Sequence, residues 1–496
     1  MLLRFGPWQP DTPDNDDSSA VEATGVVPGY GGAYEPQSGL QTFSNSLSAR
    51  CQGAFACKAA DGSVFWFAGD RGDLFALSSV SWSNVSVVGG YSVSSDGSWS
   101  FAQYGDAVYA SNYNDTIQVY TLGAGGSFSP VASAPRARRL FVVANFLVAL
   151  NTVDSGTPNP QRVRWSGLDQ PLSWTVDSVT QADFQDLYGE GGQNMAAAVG
   201  LVGADAAIFQ QRGVWRMTYT GLPLIFEFAQ IEGVRGTPAP KSLITIGGLC
   251  YYLAENGFAV FDGNTSESIG AGKVDRFFAS DANPARLYRT SGVADTDRKL
   301  LFWAYVSNAS VDGNCDRILV YNYVTGWWSL LKLAVELLWQ TLSFGYTLDQ
   351  LDAFYGANID AFPVSFDSAQ WQGGLHQLSA FDTGHRTSHF SGAPLGASLV
   401  TSENLMPDPH RYLTVKAWPV VECRSATADV AVSIGHRSRA IDAVTWGASI
   451  PPNNVGFSPQ RVSDHYNRYR LSISASTVWA RAVGIDIATG STTQKR

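Results

Sequence analysis

Two carboxylates three residues apart, Asp183 and Asp186 in Gln181-Ala-Asp-Phe-Gln-Asp-Leu187, are the closest approach to an acid–base pair in this chain. A glycoside hydrolase needs two carboxyl groups about 5 to 9.5 Å apart across the scissile bond. These two lie in a polar stretch followed by Gly189-Glu-Gly-Gly192, and they read as a solvated loop. His385-Arg-Thr-Ser-His389 spaces two imidazoles as a zinc helix would, but a metalloprotease needs Glu after the first His, and Arg386 stands there. Thr387 and Ser388 favour strand or loop, so surface polar residues are expected. No phosphate-binding GxxxxGK[ST] loop, GxSxG elbow or Asp-x-Asp-x-Asp-Gly calcium loop is present. The expectation is therefore a non-enzymatic protein, with no catalytic, cofactor-binding or metal-binding residues.

The elements that would position such groups are repeats. Six stretches recur: Asp73-Leu-Phe-Ala-Leu77, Ile117-Gln-Val-Tyr120, Arg162-Val-Arg-Trp165, Gly213-Val-Trp-Arg-Met217, Gly257-Phe-Ala-Val-Phe261 and Arg317-Ile-Leu-Val-Tyr321. Anchored on Phe75, Val119, Val163, Val214, Phe258 and Leu319, their spacings are 44, 44, 51, 44 and 61. A strand, a turn and an aromatic at a period of roughly 40 to 50 residues predict four-stranded blades around an axis. The fold class expected is all-β, a six-bladed β-propeller, with an insertion in the longest interval. Ser94-Ser-Asp-Gly-Ser-Trp99 has the look of a sialidase-type turn, but it occurs once with short spacing and reads as an ordinary Asp-Gly turn. Hairpins are predicted around Asp61-Gly62, Gly105-Asp106 and Asn256-Gly257. Helical signal is confined to Lys273–Phe278 and to two turns over Leu333–Trp339.

Three parts are expected: an extended N-terminal arm over 1–45, the propeller over 46–380, and a β-rich, sandwich-like C-terminal domain over 381–496. The arm is broken by Pro7, Pro10, Pro13, Pro28 and Pro36 with glycines between, so regular strands are not predicted. It should be ordered only where it lies on something. Charged residues make up 15% of the chain against roughly 25% in typical globular proteins, while Trp, Tyr and Phe number 15, 20 and 26. Such a composition suits surfaces buried against other copies. The net charge of −10 argues against a general polyanion binder and suits a conduit that repels a phosphate backbone. The basic cluster Arg136, Arg138 and Arg139 reads as a solvated loop ahead of the apolar run Leu140–Leu150. That run is 11 residues, too short to span a membrane at roughly 20. No secretion signal is visible, and five irregularly spaced cysteines without a CxxC pair imply reduced, mostly buried thiols.

Several stretches in order resemble the tail hub or nozzle proteins of short-tailed bacteriophages, the packaged-DNA stabilisation family. They are Phe5-Gly-Pro-Trp8, Gly53-Ala-Phe-Ala-Cys-Lys-Ala-Ala-Asp-Gly62, Arg164-Trp-Ser-Gly167 with Trp174, and Ala254-Glu-Asn-Gly-Phe258 through Phe261-Asp-Gly263. Ile269-Gly-Ala-Gly-Lys-Val-Asp-Arg276, Tyr346-Thr-Leu-Asp-Gln-Leu-Asp352 and, more weakly, Thr445-Trp-Gly447 complete the set. The resemblance implies a virion protein assembled in the host cytoplasm, a homohexameric ring below the portal and adaptor. Its partners would be other tail proteins (tailspike or fibre, needle or plug). Double-stranded DNA would pass through its lumen unread and be retained until ejection. The family offers no catalytic residue to carry over. Two other readings stand beside it: a carbohydrate-binding or glycan-hydrolysing propeller, and a monomeric interaction scaffold.

Overall fold

The structure, a computed structural model, describes residues 1–16, 18–200, 205–344, 374–405, 412–423 and 429–491. Strand accounts for 53% and helix for 4%, and the chain is an all-β propeller with added β-structure. Six consecutive meanders of four antiparallel strands cover 53–84, 100–130, 136–186, 194–232, 244–268 and 291–331. These are blades 1 to 6. Every sequence anchor falls on the third strand of its blade: Phe75, Val119, Val163, Val214, Phe258 and Leu319 in turn.

A further four-stranded sheet joins Leu337–Leu342, His376–Phe381 and Arg386–His389 to Gln41–Ser46 from the other end of the chain. The six blades expected are thus seven four-stranded units. The seventh escaped the repeat because its outermost strand precedes blade 1 in sequence. That strand runs antiparallel to Arg386–His389, with Arg386 opposite Ser46 and His389 opposite Gln41. Phe43 packs on Trp66 of blade 1 at 5.5 Å and on His389 at 4.9 Å. The two chain ends of the ring are closed by hydrogen bonds and an aromatic contact together.

Seven apolar clusters occupy the seven spaces between successive blades. Strand alternation explains how. In Phe146–Asp154 of blade 3, Phe146, Val148 and Leu150 face blade 4, while Leu147 and Ala149 face blade 2. Both faces are covered, so the strand reads as a continuous apolar run. The apolar run Leu333–Trp339, expected as two helical turns, is extended for the same reason. Its apolar residues serve two faces of a strand, Leu337–Leu342, with Leu337 and Trp339 toward blade 1 and Leu338 toward blade 6.

The 61-residue interval holds the helix Asp275–Asp281 and the 3-10 turn Pro284–Arg289. Asp11 caps the helix, its carboxylate accepting from the Arg276 and Phe277 amides at 2.8 Å each. Trp8, buried, meets Phe277 edge-on at 5.2 Å.

The N-terminal stretch does form strands, contrary to the sequence reading. They are Leu2–Arg4, Ala20–Thr24, Val26–Pro28 and Tyr34–Pro36, besides the closing strand. Val26–Pro28 and Tyr34–Pro36 make a hairpin whose turn carries Gly31 and Gly32 at φ 79° and 73°, values that favour glycine. Pro28 and Pro36 end their strands. The strand partners of the arm outside this hairpin lie more than 300 residues away, out of reach of local pattern. Leu2–Arg4 pairs with Trp479–Ser491, and Ala20–Thr24 sits between the outer strand of blade 6 and Ala397–Thr401. Two sheets result, and Ala417, Ile485 and Ile487 of one share a core with Val432, Ile434 and Leu471 of the other. Sandwich-like packing expected for the C-terminal part is present, built with strands of the arm. Tyr346–Asp352 lies outside the described residues.

An ionic joint fixes this assembly. Glu403, buried, accepts from Arg437 Nε at 2.8 Å and from Arg468 Nε at 3.1 Å, and Arg468 Nη2 reaches Asp14 of the arm at 2.6 Å. Removing one member of a buried charge set strands the others. Glu403→Ala is expected to cost about 3–5 kcal/mol in denaturant unfolding. Asp14→Ala, at a half-exposed end, should cost under about 1 kcal/mol.

Candidate functional site on the propeller axis

First strands of a propeller converge on its axis, so the residues just ahead of them gather at one mouth. In this chain those positions carry Arg50, Ser98, Lys241, Arg289 and Glu336, while Arg138 and Arg139 lie within the first strand of blade 3. With Asp96, Asn112, Tyr113, Asn194 and Tyr288 they line a cavity of about 330 Å³. Asn112 and Tyr113 come from the turn between the second and third strands of blade 2, which antiparallel pairing puts at the same end.

The chamber is cationic. Arg50, Arg138, Arg139, Lys241 and Arg289 face Asp96 and Glu336, and none of the five makes an ion pair among the described residues. Their partners are neutral. Arg50 Nη2 donates to Ser95 O at 3.1 Å, and Arg139 Nε to Met195 O at 3.0 Å. Arg289 donates through Nη1 to Gly313 O, while its Nε is buried without a partner. The Arg138 guanidinium lies 4.0 Å over the Tyr113 ring. The two carboxylates are engaged elsewhere. Glu336 accepts from the Cys51 amide at 3.0 Å and stands 2.6 Å from His385 Nδ1, and burial pushes its pKa upward. Asp96 accepts from Tyr288 Oη at 2.6 Å, which joins blade 2 to the segment before blade 6 across the mouth and lowers the Asp96 pKa.

Lys241 marks the floor. From the 3-10 turn Pro240–Ser242 before blade 5, its Nζ reaches Gln52 O before blade 1 at 2.8 Å. Below it a second, more apolar cavity of about 450 Å³ runs between Ala54, Phe55, Gly292 and Leu338. Burial drives the Lys241 pKa down to about 7, and Arg139 and Arg50 add repulsion. Burial also works against Arg139 and Arg50, yet a guanidinium keeps its charge at neutral pH.

The residues singled out in sequence fall elsewhere. Asp183 and Asp186 lie on the outermost strand of blade 3, far in topology from the axis, and residues three apart on a strand point to opposite faces. Asp186 is clamped by Arg162, with Nε at 2.7 Å and Nη2 at 2.9 Å, which lowers its pKa, and Asp183 accepts from the Phe184 amide at 2.8 Å. They form no acid–base pair. His385 and His389 have separate partners. His385 sits in a turn at φ 63° beside Glu336, and His389 is 2.9 Å from Ser379 Oγ, with its pKa brought down to about 4 by burial. No group of three or more potential metal ligands occurs among the described residues. Arg138 and Arg139, expected in a solvated loop, are part of the axial wall, and the Ser94–Trp99 turn supplies its rim. Cys51, Cys57, Cys250 and Cys315 are free and buried, each thiol pushed up to about 12 by burial. No described helix is long and apolar enough to cross a membrane.

Because the folded state favours neutral Lys241, stability should fall as pH drops from the ordinary lysine range, about 10.4, to about 7, and level off below. Lys241→Met should remove that slope in calorimetry. Arg50→Gln should raise the Lys241 pKa in NMR titration of the 13C-methylated protein, since a neighbouring cation is lost; an unchanged titration contradicts the shared electrostatics.

No family model and no curated protein sequence matches the chain. Solved structures similar to it include the extracellular domain of BT4673 from B. thetaiotaomicron, at 9% identity over 82% of this chain and 47% of that one, with a TM-score of 0.41. The chain therefore spans about half the length of that protein. The β-propeller domain of Myceliophteria thermophila Cps50 (Swd1) is similar at 8% identity over 71% of this chain and 99% of that one, TM-score 0.39. BBS1N in complex with ARL6DN gives 12%, 71%, 97% and 0.39 in the same order.

Proposed function

We propose that the chain is a structural subunit that works as a ring of its own copies, the tail hub or nozzle of a short-tailed bacteriophage, without an enzymatic role. One observation carries the reading. The loop between the third and fourth strands of blade 3 and the matching hairpin of blade 4 end in exposed apolar residues. Val179 is 86% exposed, Leu224 69% and Leu222 60%. Equivalent loops lie on one rim, and antiparallel order puts that rim opposite the cationic mouth. Clustered exposed apolar residues on a chain of low charge mark a protein–protein contact.

A second support is where the resembling stretches fall. Phe5 and Trp8 are buried, Trp8 against Phe277 of the helix that follows Ile269–Lys273, and Gly53–Lys58 is the first strand of blade 1. They hold arm, propeller and C-terminal sheets as one stiff block, the property a pressurised conduit needs. The −10 net charge is compatible with DNA passing through a lumen between copies, while the cations of each subunit gather on its own propeller axis.

Native mass spectrometry of the purified chain tests this. A closed oligomer is expected, six copies on the family's pattern, and Val179→Asp with Leu224→Asp should convert it to monomer without lowering the thermal midpoint. A wild-type monomer at high concentration contradicts the proposal.

A further inference from the structure

We propose that the axial chamber is a binding site for a small phosphoryl oxyanion, held by Arg50, Arg138, Arg139, Lys241 and Arg289. Five cations taken from water into a cavity with only two carboxylates are unfavourable, and each repels the others. This fold nevertheless brings five together from three blade boundaries and one strand, and turns both nearby carboxylates to other partners. A bound multivalent anion removes the conflict.

Donor geometry agrees. Lys241 Nζ spends one of three N–H bonds on Gln52 O, and Arg50 and Arg289 each use a single donor. Arg289 Nε is buried and unpartnered beside the chamber. Several guanidinium forks with unused N–H groups suit a tetrahedral oxyanion with three or four oxygens, which takes paired donors from more than one side. Ser98 and Asn194 add neutral polar groups to the wall. The 330 Å³ volume accepts one or two phosphoryl groups but not a nucleic acid duplex, and the Tyr288–Asp96 hydrogen bond across the mouth excludes a larger chain. Below Lys241 the axial space is more apolar and its wall adds no further lysine or arginine, so the anion is held above it.

Isothermal titration calorimetry on the full chain at low ionic strength tests the site with inorganic phosphate and inorganic pyrophosphate, against sodium chloride of matched ionic strength and a short DNA duplex. One saturable pyrophosphate site per chain is expected, tighter than phosphate. Lys241→Met and Arg138→Ala should each weaken it tenfold or more, and Arg71→Ala, an exposed cation outside the chamber, should not. Arg138 is exposed and bonds only to an aromatic face, so its variant keeps the test open if Lys241→Met fails to fold. Pyrophosphate should also raise the Lys241 pKa. Absence of saturable binding, equal effects of chloride, affinity unaltered in Arg138→Ala, or duplex binding that displaces pyrophosphate in every variant overturns the proposal.

Discussion

The ring depends on one pairing, the strand Gln41–Ser46 against Arg386–His389. A ring of meanders has two free edges until the last blade accepts a strand from the far end of the chain. Here that strand comes from the N-terminal side and leads straight into the axis. Leu47 N donates to His385 O at 2.9 Å, Arg50 enters the chamber wall, and the Cys51 amide holds Glu336. His385, next to the closing strand's partner, holds the other oxygen of Glu336. Closure and site are thus one continuous piece of backbone and side chain. Trp66, edge-on to Trp339 at 5.4 Å, fills the space between the last and first blades behind it.

From that closure follow both faces of the molecule. First strands start at the closed mouth, where the cations collect. Third-to-fourth loops end at the opposite rim, where Val179, Leu222 and Leu224 stand in water. A low overall charge content does not mean an even distribution. The 33 basic residues include five that the fold draws onto one axis, within a chain of net −10. Propeller geometry concentrates whatever occupies one repeat position, because that position recurs at the same height around the ring.

The repeat itself was legible because third strands carry a compact apolar motif, and all six anchors proved to be third strands. The hairpins at Asp61-Gly62, Gly105-Asp106 and Asn256-Gly257 were legible from turn chemistry, and the helix near Lys273–Phe278 is present at Asp275–Asp281. What was not legible is non-local. The seventh blade takes a strand from outside the repeat, and, apart from the local hairpin of Val26–Pro28 with Tyr34–Pro36, the arm's strands pair with residues more than 300 positions distant. The axial site was missed because the repeat was aligned on third strands. Read instead at the position before each first strand, Arg50, Lys241 and Arg289 come into line, and Arg138 and Arg139 cease to be an isolated loop cluster. Asp183 and Asp186 misled for the opposite reason: nearness in sequence on one strand separates side chains onto opposite faces.

Removal of residues 1–46, followed by calorimetry against the full chain, tests the dependence on closure most directly. Loss of a single cooperative transition, with blade 7 and the Glu336–His385 contact melting first, is the result the account requires. A truncated chain that unfolds in one transition at the original midpoint would contradict it.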